Sequence, residues 1–394
     1  MAGRVSGDPV NGNTLKRIPF RSMIHAGERS ATFFSIHQDE APMQTEILAT
    51  IGPASADLLE AMYRAGLSGI RLNSSHSDAQ FQSRIIALSR KIRPEAYIVF
   101  DIKGPKIRIG DLPEPLSVRA DMTVTLRTDL TPPPDSEYPA VADFSRGIPV
   151  TLPELDRHIL PGHRLLVDDG YVGLSVTEVL PGRIHCTVLY GNEIRSRKGL
   201  NHPDTVVPFP YTMPHDEPLI EFAVAQEVDY IADSFTRNAE DVLELKSRLK
   251  DTGVRVIAKI ENPEGVRSFD GILGVADAIM IARGDLGVEM DPWLLPELQK
   301  EMIEKCNAAG KPVITATQML ESMIDNPYPS RADVSDIANA IYDGTDVVML
   351  SGETSVGKYP VRCVEIMRRV ACEVERAARY RTKKKRVNPL AIHD

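Results

Sequence analysis

Two short segments carry acidic and basic side chains at spacings suited to metal and phosphate chemistry. In the first, Lys259 and Glu261 are separated by one residue, and in the second, Asp285 follows Arg283 and Gly284. Side chains two positions apart on a strand face the same side, so Lys259 and Glu261 would point the same way. Two carboxylates suit a hard cation such as Mg²⁺, which completes its shell with substrate oxygens and water. An ordinary ion pair between Lys259 and Glu261 is the alternative.

Further polar side chains follow apolar runs elsewhere in the chain. A guanidinium such as that of Arg71 can hold a phosphate through two hydrogen bonds, and a hydroxyl with an ordered water can relay a proton. Taken singly, each of these residues is typical of a surface strand end or a helix cap. They are Arg71, Asn73 and Ser75, then Asp101 and Lys103, then Thr317 and Gln318, and finally Ser351.

From residue 45 onward, short apolar runs alternate with helix-like segments, the pattern of parallel strands joined by helical crossovers. Strands are predicted at 46–51, 69–73, 97–102, 230–234, 254–260, 278–282, 312–317 and 346–350. Eight such units close into an α/β barrel of the (β/α)8 TIM type, with the active site at the C-terminal strand ends. The polar residues above end these strands, so we expect them to converge on one rim.

The alternation is interrupted once, between the third and fourth barrel strands. No helix pattern is convincing between about 111 and 198, and the runs 165–167 and 171–176 flank Asp169 and Gly170, a good hairpin turn. We predict a β-rich lid domain at 112–198, inserted between barrel segments 43–111 and 199–380. Its position above the active face suits a lid.

One segment, GETSVGKY at 352–359, nearly matches a nucleoside triphosphate-binding loop. Tyr359, however, stands where such loops use a Ser or Thr hydroxyl for Mg²⁺, and Pro360 removes an N–H donor. We interpret the segment as a strand-to-helix connection, with Pro360 suited to the first turn of a final helix.

Composition argues against several classes of protein. A net charge of −9 over 394 residues gives no general attraction to nucleic acid or anionic membranes, and no apolar run approaches the ~18 residues that span a bilayer. The four scattered cysteines are expected to be reduced packing residues in a cytoplasmic protein. The composition of residues 1–42 predicts a poorly ordered extension, and a transit peptide is the alternative. Residues 381–394 predict a solvated basic tail.

Six dispersed segments, in their order along the chain, resemble the pyruvate kinase family. The resemblance runs from about residue 45 to about residue 375 and implies a barrel A domain interrupted by a mobile B domain. It also implies a reaction in which phosphoenolpyruvate and ADP give pyruvate and ATP, with Mg²⁺ or Mn²⁺ as cofactor. The segments are TIGPAS (50–55), RLNSSH (71–76), DIKGPKIR (101–108), KIE (259–261), ARGD (282–285) and ITATQMLESM (314–323).

The resemblance also implies roles for the matching residues. Lys259 would stabilise the transferring phosphoryl group, Arg71 would contact phosphate, and Glu261 and Asp285 would bind the metal ion. The backbone of 283–285, together with Thr317, would hold the substrate carboxylate. We hypothesise that a hydroxyl–water relay through Thr317 or Ser351 delivers the final proton. The nucleotide side would be lined by Pro53, Asn73, Ser75, His76, Arg108 and Lys198.

The chain departs from the family pattern in three places. Ile102 and Lys106 stand where many members carry the Thr and Glu of a monovalent-cation site, so we expect activity without K⁺. Ser74, Ser77 and Phe81 replace a Phe, a Gly and an aromatic residue with a hydroxyl. The sequence also stops soon after the eighth barrel helix, so the resemblance implies that the C-terminal effector domain is missing, while a homodimer through the barrel stays open.

Two other functions remain alternatives at this point. The chain could be a specialised relative that acts on another enol or 2-oxo acid, in the manner of a lyase. It could also be a non-catalytic metabolite-binding protein, an alternative suggested by Ser74, Ser77 and the missing domain.

Overall fold

Two sets of strands organise the chain in the computed structural model, which describes residues 44–75, 77–133, 136–210 and 212–377. The strands in these ranges are β1 (Glu46–Thr50), β2 (Gly69–Asn73), β3 (Tyr97–Asp101), β4 (Leu116–Ser117), β5 (Thr123–Arg127), β6 (Ile148–Pro149), β7 (Arg164–Val167), β8 (Val172–Leu180), β9 (Arg183–Tyr190), β10 (Glu193–Ile194), β11 (Leu200–Asn201), β12 (Tyr230–Asp233), β13 (Arg255–Ile260), β14 (Ala278–Ala282), β15 (Val313–Ala316) and β16 (Val347–Leu350).

Helices follow the strands of the first set. They are α1 (Leu59–Ala65), α2 (Ala79–Ile92), α3 (Glu217–Ala225), α4 (Ala239–Arg248), α5 (Pro263–Arg267), α6 (Phe269–Val275), α7 (Arg283–Glu289), α8 (Leu295–Ala309), α9 (Arg331–Asp343), α10 (Gly352–Ser355) and α11 (Pro360–Arg376). Local sequence sets several of their ends. Asp78 caps α2 by accepting from the backbone of Phe81, and Ser330 and Asp333 form a capping box on α9.

The first set is a closed barrel of eight parallel strands in the order β1-β16-β15-β14-β13-β12-β3-β2. All eight predicted barrel strands are confirmed, each to within one residue at either end. The (β/α)8 fold is therefore the one expected from the alternating pattern. A shell of apolar side chains packs between strands and helices, and a second cluster fills the barrel interior.

The second set forms the lid domain, which leaves the barrel after β3 and returns before α3. It contains a six-stranded sheet in the order β11-β7-β8-β9-β5-β6 and a small sheet of β10 and β4. The predicted hairpin is present, with left-handed backbone at Asp168, Asp169 and Gly170 between β7 and β8. The apolar core of the lid domain also takes in Ile107 and Val207, which flank the expected boundaries.

Some sequence-based expectations fall outside this description or add little to it. The extension expected at 1–42 and the tail expected at 381–394 lie outside the described residues. All four cysteines are buried and carry free thiols, in agreement with a packing role. Among the helices of the described ranges, none is long and apolar enough to cross a membrane.

Candidate active site at the barrel mouth

The polar residues at the barrel mouth continue the inward-facing series of the barrel interior. Tyr97 and Val99 point into the interior cluster, and Asp101 is the next residue of that series on β3. Ile257 does the same on β13, with Lys259 two residues later and Glu261 just past the strand end. Because strand side chains alternate between faces, this parity turns the whole set toward the mouth. The same parity holds for Thr50, Arg71, Asn73, Ser234 and Ser351.

Lys259 lies at the centre of this set and is 6% exposed. Its Nζ lies 2.8 Å from Ser234 Oγ, 3.0 Å from Asp101 Oδ1 and 3.0 Å from Glu261 Oε1. Burial disfavours the charged ammonium, but Asp101 and Glu261 outweigh it and hold the pKa of Lys259 above its usual value. The ion pair weighed as an alternative is thus present, as one contact of a larger buried cluster.

Arg71 neutralises Asp101 from the other side. Its Nε donates to Asp101 Oδ2 at 2.6 Å, and its Nη1 donates to Thr50 Oγ1 at 3.0 Å. Burial of Asp101 favours its neutral form, yet Arg71 and Lys259 lower its pKa below the usual range. Asp101 therefore fixes two cations at the mouth and remains ionised.

The two expected metal ligands lie close enough to repel each other. Burial first, and then Asp285 and Asp101, raise the pKa of Glu261 despite the nearby Lys259. The Oε2 atom of Glu261 accepts from the backbone N–H of Phe235 at 2.8 Å. Asp285 is also buried, but Lys106 lies 2.5 Å from its Oδ1 and lowers its pKa.

The segment expected to hold the substrate carboxylate forms the start of α7. Gly284 donates its N–H to Thr317 Oγ1 at 2.7 Å, so that donor is already engaged. The Arg283 side chain does not face the mouth, because both of its Nη atoms lie 2.7 Å from the carboxylate of Asp336. Thr317 and the residue after it have positive φ, 69° and 54°. Such strain in residues with a Cβ clusters at functional sites.

Ser351 follows β16, next to the end of β15. Its backbone N–H donates to Glu353 Oε2 at 2.7 Å. Its Oγ is buried and has no hydrogen-bond partner within the described ranges, and the same holds for Ser74 Oγ. A buried hydroxyl without a protein partner is normally satisfied by water or by a ligand.

The residues expected on the nucleotide side are only partly brought together. A cavity of about 260 Å³ between barrel and lid domain is lined by Ser75, Lys103 and Arg108, among others. Lys198 lies on the lid side with its Nζ 2.8 Å from Asp168 Oδ1. Asn73 Oδ1 accepts from the backbone N–H of Ser75 at 3.0 Å, Pro53 is exposed after β1, and His76 lies outside the described residues.

The lysine of segment 352–359, which resembles a nucleotide-binding loop in sequence, lies on the surface. Lys358 is 64% exposed in its side chain and lies 2.8 Å from Asp325, and the residues before it form the short helix α10. The segment connects a strand to a helix, as its sequence indicated.

Sequence reasoning missed the contribution of the fourth barrel strand. Ser234 Oγ contacts both Lys259 and Asp101, and Phe235 has a φ of 58° that directs its N–H at Glu261. Both follow β12 at the height of the other site residues. That strand-end position was the signal that could have identified them.

Comparison with known proteins adds the family. Residues 43–364 match the family described as pyruvate kinase, barrel domain. Pyruvate kinase of Sporosarcina psychrophila is 41% identical over 350 residues, which are 86% of this chain and 58% of the relative. Pyruvate kinase of Clostridium acetobutylicum is 39% identical over 86% of this chain and 72% of the relative. Pyruvate kinase of Thermococcus litoralis is 43% identical over 84% of this chain and 70% of the relative.

These relatives are longer than the chain, and the matched region spans 58% of the length of the first of them. The match nevertheless covers the barrel strands, the inserted lid domain and the cluster around Lys259 together. On that basis the chain belongs to the pyruvate kinase family.

Proposed function

We propose that the chain transfers the phosphoryl group of phosphoenolpyruvate to ADP, giving pyruvate and ATP. The observation that carries this proposal is the buried cluster at the barrel mouth, in which Lys259 and Arg71 converge on Asp101 beside Glu261 and Asp285. Phosphoryl transfer requires alignment and charge neutralisation more than covalent chemistry. Two cations held rigidly by one buried carboxylate are suited to that task.

The donor set also fits a divalent cation. Glu261 and Asp285 follow adjacent barrel strands, and burial together with repulsion from Asp285 raises the pKa of Glu261. A hard cation such as Mg²⁺ or Mn²⁺ takes oxygen ligands of this kind and would remove that repulsion. Glu261 and Asp285 would hold the ion, which when bound supplies positive charge for the phosphate and enolate oxygens.

The substrate carboxylate would displace an internal hydrogen bond. The N–H of Gly284 now donates to Thr317 Oγ1, and a carboxylate at the start of α7 would take that donor and release the Thr317 hydroxyl. The proton that converts the enol to pyruvate would then pass through Thr317 or Ser351 with a water molecule. The unpartnered Oγ of Ser351 supports a relay at this point.

The nucleotide would lie between barrel and lid domain. Ser75 and Arg108 line the cavity there, and Asn73, Pro53, His76 and Lys198 would complete this side. Closure of the lid domain would bring Lys198 toward the phosphates and exclude water.

Lys106 would take the place of a monovalent cation. Its ammonium lies 2.5 Å from Asp285 and 5.7 Å from the centre of the Phe235 ring, while Ile102 offers no side-chain oxygen as a ligand. We therefore expect no requirement for K⁺.

A coupled assay tests the function directly. Purified protein with phosphoenolpyruvate, ADP and Mg²⁺ should form pyruvate at similar rates with K⁺ and with tetramethylammonium. A strict requirement for K⁺ would contradict the proposed role of Lys106 but not the proposed reaction. No turnover with several nucleotides and metals would contradict the proposed function, and product analysis would detect a lyase.

Two further expectations stay predictions, a cytoplasmic location and a homodimer through the barrel. Trp293 and Leu294 precede α8 and are 75% and 42% exposed, which supports an interface on this face. Analytical ultracentrifugation should find a dimer that Trp293→Glu converts to a monomer. A monomeric wild-type protein would rule the dimer out.

A further inference from the structure

A second cavity, of about 210 Å³, opens where the lid domain rejoins the barrel. We call it the hinge pocket. One wall comes from the two strand connections that join the domains, through Ile107 and Asn201, and the other comes from barrel loops and α7, through Phe235 and Glu289. Apart from Lys106 and from Phe235, whose backbone N–H contacts Glu261, its lining residues are not those proposed for phosphoryl transfer. The hinge pocket is therefore a neighbour of the proposed active site and not part of it.

The hinge pocket is mainly apolar with a small polar corner. Ile107 and Val207 are 3% and 5% exposed, and Phe209 and Phe235 add aromatic surface. The corner is formed by Asn201 and Glu289, and charged side chains lie elsewhere on the rim. Of these, Lys106 and Arg237 are paired with Asp285 and Asp241. A concave apolar surface with a few convergent polar groups is the usual character of a small-molecule site.

The polar corner contains an unsatisfied acceptor. Asn201 is 3% exposed, and its Nδ2 donates to Glu289 Oε1 at 2.6 Å. Its Oδ1 is buried and receives no hydrogen bond from any described residue. Glu289 is 8% exposed, and its carboxyl group already interacts with Asn201 Nδ2 and with the backbone N–H of His202. A buried acceptor such as Asn201 Oδ1 is normally satisfied by water or by a ligand, and only a group that carries N–H or O–H can donate to it.

We propose that the hinge pocket binds a small, flat organic molecule that carries an N–H donor. The N–H groups would donate to Asn201 Oδ1 and to the carboxyl group of Glu289, while the ring packs against Phe209, Phe235 and Val207. The volume is below the ~300 Å³ of pockets for drug-sized ligands, so the ligand has a single ring.

Such a ligand would connect the lid domain to the helix that carries a proposed metal ligand. Asn201 belongs to β11, which pairs with β7 of the lid domain, and Glu289 ends α7, four residues after Asp285. A molecule bonded to both would restrain the lid domain relative to α7. It should lower kcat without competing with phosphoenolpyruvate.

The test uses benzamidine as the probe, because its planar amidinium presents N–H donors on a single ring. Isothermal titration of the full chain without substrates should give a Kd on the order of 1 mM. Benzoate has the same shape but only acceptors, and it should bind at least tenfold more weakly. Asn201→Leu removes the acceptor and should weaken benzamidine binding about tenfold, the loss of one hydrogen bond to a charged donor.

A second variant localises the site without touching the polar corner. Val206 lines the hinge pocket and is 58% exposed, so Val206→Trp can fill the space without disturbing the core. It should abolish benzamidine binding. Val356, 67% exposed and outside the hinge pocket, supplies the matched control Val356→Trp, which should bind as wild type does.

Three results would overturn the proposal. They are no heat of binding at about ten times the expected Kd, equal affinity for benzamidine and benzoate, and wild-type affinity in Val206→Trp. Thermal unfolding reports whether each variant folds, and Glu289→Gln replaces Asn201→Leu if the latter does not. Because binding is measured without substrates, a failure here is distinct from a failure of the phosphotransfer proposal.

Discussion

Replacing Lys259 by Met tests whether the buried cluster at the barrel mouth carries both stability and chemistry. The ammonium makes three contacts of 2.8–3.0 Å, and its two carboxylate partners, Asp101 and Glu261, are each 1% exposed. Removing one partner of a buried ion pair typically costs ~3–5 kcal/mol. Asp101 retains Arg71, whereas Glu261 retains the backbone N–H of Phe235. Most of the loss should therefore come from Glu261.

The pH dependence of this loss has a definite sign. Burial raises the pKa of Glu261 in the folded protein, and the absence of Lys259 should raise it further. A carboxyl group whose pKa is raised by folding favours the folded state when protonated. The deficit of Lys259→Met should therefore shrink as the pH falls through the raised pKa of Glu261.

Urea unfolding at several pH values and the coupled pyruvate assay measure the two effects. Activity should fall ~10²–10³-fold or more, by analogy with the loss of one donor from a preorganised site. In Lys259→Met with Glu261→Gln, stability should recover while activity does not. Lys358→Met, which removes an exposed pair with Asp325, should cost less than ~1 kcal/mol. A deficit as small as that control, or activity within tenfold of wild type, would refute the reasoning.

Three further changes test other parts of the structure. Burial raises the pKa of Asp233 to about 7, so between its unfolded value of 3.8 and that pH, wild type should lose stability relative to Asp233→Asn as pH rises, by up to ~1.4 kcal/mol per unit. Parallel stability curves would contradict this. Gly104→Ala should destabilise by ~1–3 kcal/mol in thermal unfolding, since φ is +65° and the new Cβ would lie 2.6 Å from the Ser234 carbonyl oxygen. An unchanged Tm would show that the backbone around residue 104 can shift to accommodate the new Cβ. Arg71→Lys should lower kcat/KM for phosphoenolpyruvate at least tenfold because lysine lacks the guanidinium fork, and an unchanged value would exclude a bidentate contact.

The barrel strands could be predicted from the sequence because two local signals agree. Apolar runs of four to six residues are long enough for a buried parallel strand, and the polar residue that ends each run marks the barrel mouth. Parity then placed Lys259 with Glu261, and Arg71 with Asn73, on the inward face. The hairpin of the lid domain followed in the same way from Asp169 and Gly170, whose backbone is left-handed.

Contacts between segments far apart in the sequence could not be predicted from these local signals. Ser234, Phe235 and Asn201 are ordinary strand-end residues in sequence, and each gains its role from a partner tens of residues away. The Arg283 side chain lies beside such a partner in α9 instead of at the mouth. Sequence spacing specifies the direction of a side chain within one strand but not the partner it meets.

The sequence by itself determined the (β/α)8 barrel, the inserted lid domain and the family, because these depend on local periodicity and on short motifs. Only the tertiary structure decided the electrostatics of the site. Asp101 holds Lys259 and Arg71 together, and Lys106 reaches Asp285 from the strand connection to the lid domain. Burial raises the pKa of Glu261, whereas Lys106 lowers that of Asp285 despite its burial. These effects depend on distance and dielectric environment, which exist only once the chain has folded.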